Sequence, residues 1–114
     1  DAIESPPEFE ILLKNVSISD LAKAFKKAIE GIKSPVIHEI QKINVSINEQ
    51  IQYILNRVSE KGEIHFLSLV HGMKEKIRIV ITFVALLELT KMEKIGIRGS
   101  KKFNDFIIYG IANG

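Results

Sequence analysis

The sequence predicts an α+β fold: a small three-helix core closed by a two-stranded hairpin and preceded by an arm with one extra helix. Three observations lead there. Four stretches before residue 92 show helical periodicity between stop signals. Two short extended runs follow, joined by a Gly-Ser-Lys-Lys turn. The length of 114 residues, 46% of them hydrophobic, suits one domain or one domain with an arm.

The elements follow in order. Pro6-Pro7 blocks a helix and fixes an extended stretch, after which Phe9, Ile11 and Leu13 alternate as in a short strand or clamped arm. Ser17 or Ser19 can cap the next helix, because a short side-chain oxygen accepts from the free N–H groups of the first turn. Leu21, Phe25, Ala28, Ile29 and Ile32 form its apolar stripe, and Gly31 with Ser34-Pro35 stops it. The arm is therefore assigned to residues 1–34 and the domain to 35–114. Val36 to Ile43 reads as a strand of mixed alternation. Ser46 and Glu49 have capping-box spacing ahead of a helix whose buried face is Ile47, Ile51, Ile54, Leu55 and Val58, ended at Gly62. Ile64 fits a single bridge in a small sheet, Phe66 to Val70 a short helix, and Lys74 to Lys91 a long one. Glu93 to Arg98 and Phe103 to Tyr109 are the two hairpin strands, with Phe106 and Ile108 on one face. This order, with only a few residues around Gly72 between the last two helices, is that of a winged helix.

Composition excludes several functions. No cysteine means no disulfide scaffold and no thiol catalysis. The longest apolar run, Ile79 to Leu87, is broken by Thr82 and far too short for a membrane helix. No signal peptide is visible, and a chain starting at Asp1 fits a piece of a longer one. A net charge of +2 is too small to coat nucleic acid by charge alone. Its distribution is uneven: residues 1–33 and 34–73 each carry −1, and residues 74–114 carry +4. That excess is either a solvated face or a phosphate-facing surface.

The long helix bears on function. Ile77, Val80, Ile81, Val84 and Leu87 fall on one side of a helical wheel, expected to pack inward. Ile79, Phe83 and Leu86 cluster on a second face, and the combined apolar arc is roughly 220° against the roughly 100° a surface helix needs. Such a helix offers few donors to base edges, which favours a protein partner over DNA. The alternative is that residues 1–33 or a second copy of the chain bury the second face.

At these residues the sequence resembles a known family. Ile79-Val80-Ile81-Thr82-Phe83-Val84-Ala85-Leu86-Leu87-Glu88-Leu89 is similar to the Val-Val-x-Thr-Phe-Leu-Ala-Leu-Leu-Glu-Leu signature of bacterial kleisins, the segregation and condensation protein A family. Val45-Ser46-Ile47-Asn48-Glu49-Gln50-Ile51 resembles that family's Val-Ser-Val-x-Glu-x-Ile, and Ile64 to Val70 its Val-Ser-Phe-x-x-Leu-Phe. Phe103-Asn104-Asp105-Phe106-Ile107 resembles its closing Phe-Gly-Asp-Ile. Pro6-Pro7 and Ser19-Asp20-Leu21 are similar to the end of the family's middle region. The resemblance implies a non-enzymatic subunit whose C-terminal winged helix docks on the ATPase head of an SMC protein. It would help close a ring used in chromosome condensation and segregation, in the cytoplasm at the nucleoid. The family's middle region recruits a dimer of segregation and condensation protein B. The stretch Arg98-Gly99-Ser100-Lys101-Lys102 departs from the acidic or Gln-rich family pattern, which implies an acidic counter-surface.

The site residues follow from these two lines. Ile79, Thr82, Phe83 and Leu86, with Phe103 of the wing beside them, are the expected SMC-head contact. Lys74, Arg78, Lys94, Arg98, Lys101 and Lys102 are the candidates for DNA or an acidic surface. His38, His65 and His71 lack metal-ligand spacing, so no metal is expected. No Gly-x-x-x-x-Gly-Lys loop is present, so no nucleotide or other cofactor is expected, and no Gly-x-Ser-x-Gly elbow supports an enzyme. No membrane partner is expected, and the isolated fragment could form a homodimer. Two functions stay open: an adaptor docked on an SMC head, and a winged-helix DNA binder using the long helix and basic wing.

Overall fold

Local chemistry sets the helix ends. In the computed structural model, which describes residues 13–32, 45–102 and 104–111, Ser17 caps helix α1 (Ile18–Glu30) and Ser46 caps α2 (Ile47–Lys61). Each serine hydroxyl accepts from the backbone N–H three residues on, at 3.1 and 3.0 Å, and the acid there, Asp20 or Glu49, accepts from the serine N–H in return. Gly62 ends α2 at φ +80°, where a Cβ would be strained. The short helix α3 (Phe66–Leu69) and the long helix α4 (Lys76–Lys91) follow. Glu75 sits before α4 in an extended conformation, so the helix starts two residues later than its sequence suggests.

The strands are short. They are β1 (Leu13–Lys14), β2 (Glu63–His65), β3 (Ile95–Gly99) and β4 (Phe106–Gly110), in the sheet order β1-β3-β4-β2. β3 and β4 form the antiparallel wing, with Ile97 opposite Ile108. β2 pairs antiparallel with β4, and β1 pairs parallel with β3. Glu93 has φ +60° and Asn104 φ +58°, which delays both wing strands beyond their expected starts. β4 is buried on both faces at Phe106, Ile107 and Ile108, so it reads as an apolar run rather than an alternation.

The result is an α+β, winged-helix-like fold of four helices and a four-stranded sheet among the described residues. β1 and α1 are built into it: Leu21 and Ala24 are buried in the same core as Ile54, Phe66, Leu86, Ile97 and Phe106. The expected division near residue 34 lies outside the described residues, as do the strand expected at Val36 to Ile43, Phe9, Ile11 and Phe103. On the face of α2, Ile54 and Val58 are buried as expected, but Ile47 is exposed and Gln50 is buried in its place.

Glycine permits two close approaches in the sheet. A Cβ on Gly99 would overlap the carbonyl oxygen of Asn15, so only glycine lets β1 lie beside β3 there. A Cβ on Gly96 would overlap the Tyr109 ring, which fills that space, with the Lys14 ammonium 5.4 Å from the ring centre.

Candidate protein-docking face

The core decides which face of α4 is inward. Ile79, Thr82, Ala85, Leu86, Leu89 and Thr90 are buried. Ile77 is 44% exposed, and Val80, Ile81 and Val84 are partly exposed. This reverses the inner and outer faces read from the wheel. Ile79, Thr82 and Leu86 cannot present a contact surface because other side chains already cover them. Phe83 is half-buried, its ring centre 4.7 Å from Phe25 of α1 and 5.9 Å from Phe66 of α3. Phe66 in turn stacks on Phe106 at 4.8 Å. The extra helix α1 therefore covers the flank of α4 that the sequence left exposed. A helix apolar over most of its circumference has no single apolar stripe, so tertiary partners choose its orientation.

A polar contact fixes that orientation. Thr82 donates its hydroxyl proton to the Arg78 carbonyl at 2.7 Å and accepts from Gln50 Nε2, also at 2.7 Å. Gln50 is 4% exposed and Thr82 fully buried, so this bond ties α2 to α4 inside the core. A buried pair of this kind penalises rotation or sliding of α4, since either movement leaves both groups without partners.

What remains outward on α4 is the stripe of Ile77, Ile81 and Val84, one helical turn apart, with Val80 beside it. Glu88 continues the stripe toward the wing end of the helix. This is an apolar strip on an ordered helix, flanked by charge, and suits burial against a protein surface.

The basic candidates divide. Arg78 is paired with Glu75 at 3.1 Å, and Arg98 with Glu63 across β4. Lys74, Lys94, Lys101 and Lys102 are exposed. The fold brings Lys23 of α1 to Lys101 and Lys102 around a cleft of about 270 Å³, where Asp20 and Asp105 also line the wall. The sequence reading assigned the basic excess to the last third alone. It missed Lys23, whose approach depends on the docking of α1.

Asp105 was also missed as a functional position, and its role is structural. Its Oδ1 accepts from the N–H of Leu67 at 3.1 Å and of Phe106 at 2.8 Å. It thus anchors the first turn of α3 to the start of β4. Asn104 before it takes the left-handed conformation, φ +58°, that glycine takes most readily. That accounts physically for the resemblance of Asn104-Asp105 to a Gly-Asp pair. Among the described residues no group of three or more His, Asp or Glu side chains could hold a metal ion, and no helix is long and apolar enough to cross a membrane.

The family model described as "Segregation and condensation protein ScpA" matches residues 5–111. Curated relatives named segregation and condensation protein A include one from Halothermothrix orenii, 31% identical over 90% of this chain and 45% of its own length. Another, from Clostridium acetobutylicum, is 29% identical over 85% of this chain and 41% of its own. A third, from Myxococcus xanthus, is 31% identical over 78% and 32%. The chain thus spans less than half the length of these relatives. No solved structure matches it. With the family match running through both wing strands and all four helices, the chain belongs to the segregation and condensation protein A family.

Proposed function

We propose that this chain is the C-terminal part of a bacterial kleisin, a non-enzymatic subunit that docks on an SMC ATPase head and serves chromosome condensation and segregation at the nucleoid. One observation carries the docking role: α4 keeps an outward apolar stripe, Ile77, Ile81 and Val84, after its inner face has been filled by the chain's own core. Each of these side chains is already partly buried, so docking stabilises a complex by only part of the about 1.5–3 kcal/mol that full burial brings. The wing beyond α4, basic at Lys101 and Lys102, would meet an acidic part of the head. This moves the contact from the residues expected in the sequence to the opposite side of the same helix.

A second protein, the segregation and condensation protein B dimer, would engage the N-terminal side. Of α1 itself, the polar face is the part left for such a contact, because Leu21 and Ala24 are buried and Phe25 packs against Phe83. Pull-down of the chain with the SMC head of the same organism tests the adaptor role. Stoichiometric capture of the head is expected; no capture at micromolar concentrations would refute it.

The convergence of Lys23 with Lys101 and Lys102 favours a second reading, a weak contact with DNA phosphates. Salt-sensitive DNA binding lost in a Lys101→Glu/Lys102→Glu variant, with no head binding, would support that reading.

A further inference from the structure

Helix α4 has a second register that apolar burial alone does not exclude. In the observed one, Ile79, Thr82, Ala85 and Leu86 are buried in the core. Successive residues of a helix are turned by roughly 100° and displaced by about 1.5 Å. A slip of one residue in one direction brings Arg78, Ile81, Val84 and Ala85 to those places, and Arg78 would carry its charge into the core. A slip in the other direction brings Val80, Phe83, Leu86 and Leu87, all of them apolar. Lys91 then takes the place of Thr90, and as the last residue of α4 it can run its ammonium out to solvent along its stem. This second register changes the outer face. Arg78, Thr82 and Ala85 would stand where Ile77, Ile81 and Val84 stand now, so the apolar stripe would be lost.

Two contacts set the registers apart. Gln50 of α2 is only 4% exposed, and its Nε2 donates to the Thr82 hydroxyl at 2.7 Å. A slipped α4 would meet that N–H with the Phe83 ring, which has no oxygen to accept it. Phe83 would also leave its place 4.7 Å from Phe25. A single buried amide chooses between near-equal apolar packings in the same way at the seam of a coiled coil. We propose that Gln50 and Thr82 are positioning residues for partner docking, holding α4 in the register that turns Ile77, Ile81 and Val84 outward. The proposal rests on the docking role of that stripe, while the register itself is read without a partner.

The chain has no cysteine, so single introduced thiols report the register. A thiol from Ala85→Cys is buried in the observed register and turned outward in the slipped one. One from Leu87→Cys is partly exposed now and would move into the core. The test is maleimide labelling of each thiol with and without Gln50→Leu. In Gln50→Leu, labelling at position 85 should rise at least about tenfold while labelling at position 87 falls at least about twofold. Affinity for the SMC head should weaken by the factor lost at position 87, because only the unslipped fraction binds. The same exchange is expected in Thr82→Val, and Thr82→Ser, which keeps the hydroxyl, should label as the unmodified chain does. Unchanged labelling in Gln50→Leu overturns the proposal, as does a rise at both thiols, which marks general loosening. So does an exchange of labelling that leaves head affinity unchanged. If the unmodified chain captures no head, the docking reading falls, and the labelling still decides the register.

Discussion

Replacing Phe83 by alanine separates a core residue from a contact residue. Its ring is half-buried between Phe25 and Phe66, at 4.7 and 5.9 Å. Truncating a fully buried Phe costs about 3–5 kcal/mol, and partial exposure brings that toward about 2. Each aromatic pair adds about 0.5–1.5 kcal/mol beyond its area. The expected loss is therefore about 3 kcal/mol, a large share of the roughly 5–15 kcal/mol that holds a domain together. For a chain of this size that lowers Tm by about 12 °C, at roughly 4 °C per kcal/mol. Thermal unfolding followed by circular dichroism, with urea titration for the free energy, reads both quantities. A double-mutant cycle with Phe25→Ala should return a coupling of about 0.5–1.5 kcal/mol, because the two rings touch. A Tm change below about 3 °C together with lost head binding would refute the packing argument and return Phe83 to the contact surface.

Three further outcomes follow from the geometry. Thr82→Val removes the acceptor for Gln50 in the core and should cost about 1–3 kcal/mol in urea unfolding, although the side-chain shape is kept. Asp105→Ala takes away the acceptor for both Leu67 and Phe106; a loss of about 2–3 kcal/mol is expected, with amide exchange rising first in α3. Gly99→Val places side-chain atoms against the Asn15 backbone, so β1 should detach and protection of Leu13 and Lys14 from hydrogen exchange should disappear, while α2 and α4 stay protected.

The helices were legible because their ends are written in local chemistry. Ser46 with Glu49 and Gly62 act within a few residues of themselves, and each does what its spacing implies, while the structure chooses Ser17 over Ser19 as the cap of α1 and adds Asp20 as its partner. The order of the wing strands was legible for the same reason, from the Gly-Ser-Lys-Lys turn between two apolar runs. The orientation of α4 was not. Its apolar residues surround the helix, and the choice between Ile77 and Ile79 as inward is made by Phe25, Phe66 and Gln50, which are distant in sequence. One signal was available: Thr82 and Gln50 are polar residues set on otherwise apolar stripes, and polar residues so placed pair when they are buried. The β1–β3 pairing was unreadable, because two residues give no periodicity and the pairing depends on the bare backbone at Gly99. The ion pair of Arg98 with Glu63 was equally hidden, since it joins β3 to β2 over the intervening strand β4.

In the function proposed above, the helix that resembles the family signature has two tasks on two faces. Ile79, Thr82 and Leu86 are buried in the domain core, and Ile77, Ile81 and Val84 are the residues proposed to meet a partner. The most direct measurement of that division is isothermal titration of the SMC head with the chain and with Ile81→Asp. The account predicts that Ile81→Asp stays folded, losing no more than about 1.5–3 kcal/mol at this partly buried position, and binds the head at least about a hundredfold more weakly, as a central apolar anchor should. Unchanged affinity in Ile81→Asp, with the unmodified chain binding the head normally, would contradict it.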